Sequence, residues 1–181
     1  VALASTIHIC AIELADVDRG VYETLELRVA RHPSESEEYL VTRLLAYCLE
    51  YQPGISFSKG LADSDAAAIE VRDLTGALRT WIDIGAPDAA RLHRASKAAA
   101  RVAVYTHKDP ARLLRQWSGE TIHRAAELEL YSIDRALVDG IAERLERRMT
   151  LALYMTGGHV YVTIGDESLD GRVERHPLPV A

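Results

Sequence analysis

Leu78-Arg-Thr-Trp-Ile-Asp-Ile84, then Gly85-Ala-Pro-Asp88, a run rich in Ala, Leu, Arg and Lys to about Ala100, and then Arg101-Val-Ala-Val-Tyr-Thr106 form the stretch that decides the fold. The first segment alternates faces with period two and the last is short and apolar, so both read as strands. Pro87 and Asp88 open a helix between them. Strand, short helix, strand predicts a right-handed parallel crossover. Just upstream, Ala68-Ile-Glu-Val-Arg72 reads as another strand, and Asp73-Leu-Thr-Gly76 turns it into an antiparallel hairpin with Leu78 to Ile84. The expected fold is therefore α/β, a mixed central sheet with helices on both faces.

Working outward, Thr6 to Leu14 and Tyr22 to Val29 alternate polar and apolar residues and predict an antiparallel pair. Pro33 blocks further strand, and Ser34 with Glu37 makes a capping box, so a helix is expected from near Ser34 to Tyr51, where Gln52-Pro53-Gly54 stops it. A short strand, Ile55 to Ser58, precedes a polar loop from Gly60 to Asp65. Downstream are a helix Pro110 to Trp117, a strand Ala126 to Ile133, a helix from Asp134 to about Arg147, and strands Thr150 to Tyr154 and His159 to Ile164 around the hairpin Met155-Thr-Gly-Gly158. The Gly- and Pro-containing tail from Asp166 is expected to lie across the surface. One domain, 1–181, results, with a core of about 31–133 and strand extensions at both ends.

Composition narrows the function classes. With 48% hydrophobic and 27% charged residues, the chain excludes disorder and collagen-like repeats. No uncharged apolar run approaches the roughly 20 residues of a membrane span. A net charge of −6 argues against broad coating of nucleic acid but leaves room for a local basic groove. Cys10 and Cys48 lack C-x-x-C spacing and fit reduced core thiols, and Val1 to His8 carries no basic leader pattern, so a cytoplasmic location is expected. The seven histidines form no H-x-x-x-H pair, which argues against zinc. There is no G-x-S-x-G elbow and no phosphate loop.

Three groups of residues invite a chemical reading. In the first long helix the apolar stripe of Val41, Leu45 and Cys48 extends back to Glu38, a carboxylate at the end of a buried face. The plainer alternative is a dipole cap or an ion pair with Arg31 or Arg43. Asp83 shares a strand face with Arg79 and Trp81, and Glu70 on the neighbouring strand shares its face with Arg72 and can approach across the hairpin. The alternative here is pairing of both acids with Arg72 and Arg79. Finally, Arg91, Arg94, Lys97 and Arg101 recur at three- and four-residue steps. By strand and helix rise Arg94 is the level match for Asp83, with Lys97 able to reach upward, although such a stripe is also the ordinary form of a solvated helix face.

The runs Arg31-His-Pro-Ser-Glu35, Arg43-Leu-Leu-Ala46, Phe57-x-x-Gly60, Trp81-Ile-Asp-x-Gly-x-Pro-Asp88, Val104-Tyr105 and Met149-Thr-Leu151 resemble the YaeQ family of small bacterial proteins. That resemblance implies a variant of the restriction-endonuclease-like PD-(D/E)XK nuclease fold, in which a helix supplies a glutamate, one hairpin strand an acid, and the next strand a (D/E)-x-K pair. The positions carried over are Glu38, with Glu35 as its substitute, an acid on the strand Ala68 to Arg72, and Asp83. The chain departs from the pattern at three places. Gly85 fills the lysine slot, Arg94 stands where the family pattern puts a helical lysine, and Ala67-Ala68 replaces the Pro-acidic pair, with Glu70 as the migrated acid.

Two functions follow as expectations. The first is a Mg²⁺- or Mn²⁺-dependent nuclease or phosphodiesterase, with Asp83, Glu70 and Glu38 holding the metal in one cleft and Lys97 or Arg94 stabilising charge. The second is an inactive nuclease-fold module that binds nucleic acid, through Arg91, Arg94 and Arg101, or a protein partner. It applies if Arg72, Arg79, Arg91 or Arg94 neutralises the acids. No membrane partner is expected.

Overall fold

The protein is described here by a computed structural model covering residues 4–58 and 65–179, so Gly60 and its neighbours in the polar loop lie outside the described residues. In chain order the elements are β1 (Thr6–Asp16), β2 (Val21–Arg31), α1 (Glu37–Leu49), β3 (Ile55–Phe57), β4 (Ile69–Arg72), β5 (Leu78–Ile84), α2 (Ala89–Ala98), β6 (Arg101–Thr106), α3 (Pro110–Trp117), β7 (Glu129–Ile133), α4 (Arg135–Ala142), β8 (Arg148–Thr156), β9 (His159–Ile164) and β10 (Glu167–His176). The strands form one mixed sheet in the order β2-β1-β8-β9-β10-β7-β6-β5-β4-β3. The expected β4–β5 hairpin is present, with Asp73 accepting from the Gly76 N–H at 2.9 Å. The expected parallel crossover through α2 joins β5 to β6, with Asp83 opposite Val104.

The sheet curls around α1. One core unites Ile12 of β1, Leu27 of β2, Leu153 of β8 and Val162 of β9 with Ile82 and Tyr105 from the other half, and with α1 and α4 between them. Every residue from Leu40 to Leu49 is buried, so α1 is enclosed on all sides rather than along one stripe. A smaller core on the other face packs Leu92 and Ala95 of α2 and Leu113 and Trp117 of α3 against Trp81, Val102, Val104 and Leu130. Helices thus cover both faces of the β5–β6–β7 region, as expected. No helix among the described residues is long and apolar enough to cross a membrane.

The main departure is β10. The tail expected on the surface is a strand, paired with β9 through Asp170↔Tyr161 and with β7 through Val173↔Ile133, and it joins the two halves of the sheet. Gly171 sits inside it because α4 lies directly on the backbone. A Cβ there would come within 2.9 Å of Leu137 Cβ and 3.0 Å of Asp134 Cβ.

Two helix boundaries also move. α1 is capped by Ser36, whose Oγ accepts from the Tyr39 N–H at 3.1 Å, and not by Ser34. The stretch from His32 to Glu35 forms a turn instead, closed by the Glu35 N–H donating to His32 O at 2.8 Å. α4 ends at Ala142 rather than Arg147. The Asp134 carboxylate accepts from the Arg172 N–H of β10 at 2.8 Å instead of capping the helix.

Candidate functional site

β5 presents Trp81 and Asp83 to the α2 side of the sheet. Asp83 is 2% exposed, and both of its oxygens are taken by one arginine. Arg91 Nε donates to Oδ2 at 2.7 Å and Nη2 to Oδ1 at 2.9 Å, the planar fork that matches a carboxylate. Arg91 also donates to Ala66 O at 2.7 Å, and its guanidinium carbon lies 5.4 Å from the centre of the Trp81 ring. Glu70 lies opposite Trp81 in the hairpin, as the register predicts, but its oxygens accept from Arg72 at 2.9 and 3.3 Å. Each acid of the proposed pair therefore already carries a guanidinium.

Arg94, the level match for Asp83, is exposed, as is Lys97. Depth along the helix is not what decides the contact. Leu92, Ala95 and Ser96 are the buried residues of α2, and at 100° per residue Arg91 flanks that face while Arg94 and Lys97 lie behind it. Arg101 leaves the stripe altogether. It is the first residue of β6, and its side chain is on the α1 side of the sheet, bonded to Glu50 and Glu129.

Glu38 sits in the first turn of α1, on the side of His107. One turn on, Thr42 Oγ1 donates back to Glu38 O at 2.7 Å and lies 3.1 Å from His107 Nδ1. Burial, with help from Lys108 and Arg135, holds the His107 imidazole below its ordinary value, while Glu38 acts in the opposite direction. The expected convergence of Glu38, Glu70 and Asp83 on one metal is not what the geometry gives. Among the described residues no three His, Cys, Asp or Glu side chains are grouped to hold a metal ion.

Tyr39, beside Glu38, lies against Gly85 at the end of β5. A Cβ at Gly85 would stand 3.6 Å from its ring. Gly85 has φ +83°, so a lysine in that slot would be forced into the left-handed region, at a cost of roughly 1–2 kcal/mol. Burial pushes the Tyr39 phenol up to about 12, and it senses two ion pairs: Asp83 with Arg91, and Glu35 with Arg43.

The second pair was legible only as the substitute for Glu38. Glu35 and Arg43 approach to 3.2 Å with their side chains 0% and 2% exposed. Neither Glu35 side-chain oxygen takes a hydrogen bond, and Arg43 Nε donates none, although Arg43 Nη2 reaches Ala30 O at 2.8 Å. Burial dominates both groups, raising Glu35 above the ordinary glutamate value of 4.5 and lowering Arg43. The stability contributed by a raised carboxylic acid is fully present below its unfolded value and is lost as pH rises through the folded one. The wild type is therefore expected to lose thermal stability as pH climbs from about 4.5 through the raised Glu35 value. Glu35→Gln should flatten that slope, which a series of melting curves across this window would read.

At the opposite end of α1 lies a second charged cluster that the sequence did not suggest. Glu50 accepts from Arg101 Nη1 at 2.7 Å, from Arg101 Nη2 at 2.9 Å and from Tyr105 OH at 2.7 Å. Arg101 Nε reaches Glu129, which also accepts from Tyr131 OH at 2.7 Å. The cluster borders a cavity of about 460 Å³ shared with Asp16, Arg19 and Arg175.

The model of the YaeQ protein family matches residues 1–173. YaeQ of Escherichia coli strain K12 is 28% identical over 170 residues, covering 93% of this chain and 94% of that protein, and YaeQ of Salmonella typhi matches to the same extent. Crystal structures of YaeQ from Xanthomonas axonopodis pv. citri and Pseudomonas syringae superpose with TM-scores of 0.86 and 0.84 at 26% and 27% identity. The first covers 97% of this chain and 99% of its own, the second 94% and 95%. A family match over nearly the whole length, on the same mixed α/β architecture, means that the chain belongs to the YaeQ family.

Proposed function

We propose that the chain is a nucleic-acid-binding module on a variant PD-(D/E)XK scaffold that holds its ligand without cleaving it. The order of α1, the β4–β5 hairpin and the α2 crossover supports the scaffold. The observation that carries the reading is the Arg91 fork, which takes both oxygens of Asp83, the acid central to metal-assisted hydrolysis. The binding surface is the α2–α3 layer. These two helices contribute Arg91, Arg94, Lys97, Arg112 and Arg115 and contain no carboxylate, in a chain of net charge −6. The two buried free thiols, Cys10 and Cys48, fit a cytoplasmic setting.

Titration with single- and double-stranded DNA and RNA is expected to show the logarithm of the affinity falling linearly with log salt. Reversing Arg94 and Lys97 to glutamate should reduce that slope by about two, at about 0.9 per phosphate contact. Affinity that ignores salt and both reversals would overturn the reading.

A second reading is a Mg²⁺- or Mn²⁺-dependent phosphodiesterase. It is favoured by Glu35, a buried carboxylate with neither oxygen hydrogen-bonded, close to Tyr39 and through it to Asp83. Asp83 and Glu35 would supply hard oxygen ligands, with Glu38 and Glu70 as further candidate carboxylates. EDTA-sensitive cleavage that disappears in Asp83→Ala would establish this reading in place of the first.

A further inference from the structure

We propose that the outer face of the curled sheet, far from the α2–α3 layer, is a docking surface for an arginine-bearing segment of a partner protein. The proposal is independent of the function proposed above. Register places the residues. Across β2, β1, β8, β9 and β10 one rung reads Tyr22, Ala15, Tyr154, Tyr161 and Asp170, and the next on the same face reads Thr24, Glu13, Ala152, Thr163 and Ser168. The three tyrosines are 63%, 44% and 45% exposed, which is unusual for such large aromatic side chains.

These rungs enclose a surface recess of about 560 Å³ with tyrosine walls and an alanine and threonine floor. Tyr22 and Tyr154 stand two strands apart with Ala15 between them, a spacing of about 9.6 Å at about 4.8 Å per strand. Sandwiching a flat group at contact distance on both sides takes about 7 Å between ring planes, which strands this far apart can accommodate for a guanidinium. Of the two charged residues bordering the recess, Glu13 shares the tyrosine face while Glu23, opposite Leu14, belongs to the other face, and no lysine, arginine or histidine is among the described lining. Glu13 is held by Thr24 Oγ1, which donates to its Oε2 at 3.1 Å.

Ring faces and the Glu13 carboxylate together select a cation and repel a phosphate backbone. Arginine suits the site better than lysine because a planar guanidinium stacks on aromatic rings and forks onto a carboxylate. Charge complementarity calls for a basic partner; a second copy, of net charge −6, would have to present its own α2–α3 layer, an arrangement that self-association would reveal.

The test is calorimetric titration of the full chain with hexa-arginine and hexalysine peptides, with a single-stranded oligonucleotide and sedimentation of the protein alone in parallel. Hexa-arginine is expected to bind about fivefold more tightly than hexalysine, and Tyr154→Ala and Glu13→Gln each to weaken it about tenfold. Glu120→Gln, which removes an exposed carboxylate elsewhere, should leave it within about twofold. All three substitutions are at the surface, and unchanged melting curves confirm that each variant is folded. No binding, or binding that treats both peptides alike and ignores Tyr154→Ala, overturns the proposal. So does oligonucleotide binding or self-association that Tyr154→Ala abolishes, because the occupant would then be a base or a second copy.

Discussion

Replacing Arg101 with alanine is expected to lower the unfolding midpoint by roughly 10 °C, from a loss of about 3–5 kcal/mol at about 2–4 °C per kcal/mol for a domain of this size. Arg101 is shared by two carboxylates whose side chains are 9% and 14% exposed, Glu50 and Glu129. Truncation leaves Glu50 with the Tyr105 hydroxyl, and Glu129 with the Tyr131 hydroxyl and a long contact to Arg175 at 3.8 Å, the two tyrosine rings stacking with centres 4.9 Å apart. Arg101→Lys should recover part of the loss, because an ammonium restores the charge but not three directed bonds. The gap should also narrow in acid. Burial raises the Glu129 carboxyl, but its bonds from Arg101 and Tyr131 outweigh that and hold it below the ordinary 4.5. Its contribution is present above that value and is lost as pH falls through the depressed one. Calorimetric scans of wild type and variant at several pH values test both points.

Arg91→Ala is expected to cost more than Asp83→Ala, although the two remove the same ion pair. The arginine truncation leaves a carboxylate 3% exposed without its guanidinium and should cost about 3 kcal/mol, the low end for a broken buried pair because the Arg91 side chain is 24% exposed. The aspartate truncation leaves Arg91 its bond to Ala66 O and its place over Trp81, so about 1–2 kcal/mol is expected. The same variants discriminate the two functions. Under the binding-module reading, millimolar Mn²⁺ leaves the wild-type melting temperature unchanged and raises that of Arg91→Ala, where Asp83 is released to a cation. A wild type that is itself stabilised by Mn²⁺, with the effect gone in Asp83→Asn, would transfer the argument to the hydrolase.

The centre of the fold was legible because its signals are local. Turn residues at Asp73 to Gly76, period-two alternation in β5 and the Pro87-Asp88 helix start each fix an element without reference to the rest of the chain. β10 was not legible, because Gly171 interrupts its alternation and its partners, β9 and β7, come from different halves of the sheet. The enclosure of α1 was hidden for a related reason. Arg43, 2% exposed, reads as a surface residue until Glu35 and the end of β2 are known to lie against it. At the site, Asp83 and Glu70 were correctly placed on one face of the hairpin. Their guanidinium partners were not all assigned, because an estimate of depth along α2 selects Arg94, whereas its angular position selects Arg91.

The position of β10 also governs how the molecule is made. Before residues 167–176 leave the ribosome, β2-β1-β8-β9 and β7-β6-β5-β4-β3 are two ribbons with no backbone hydrogen bond between them, each with an open edge. β1 already waits for β8, its parallel neighbour, across more than half of the chain, so the native pairings are dominated by distant segments and slow to form. A nascent chain therefore carries two unsatisfied edges, at β9 and β7, until residues 167–176 have been synthesised. A ribosome stalled before Glu167 would hold a species primed to pair with other chains, and release of β10 is the step that joins two sticky half-sheets into one continuous sheet.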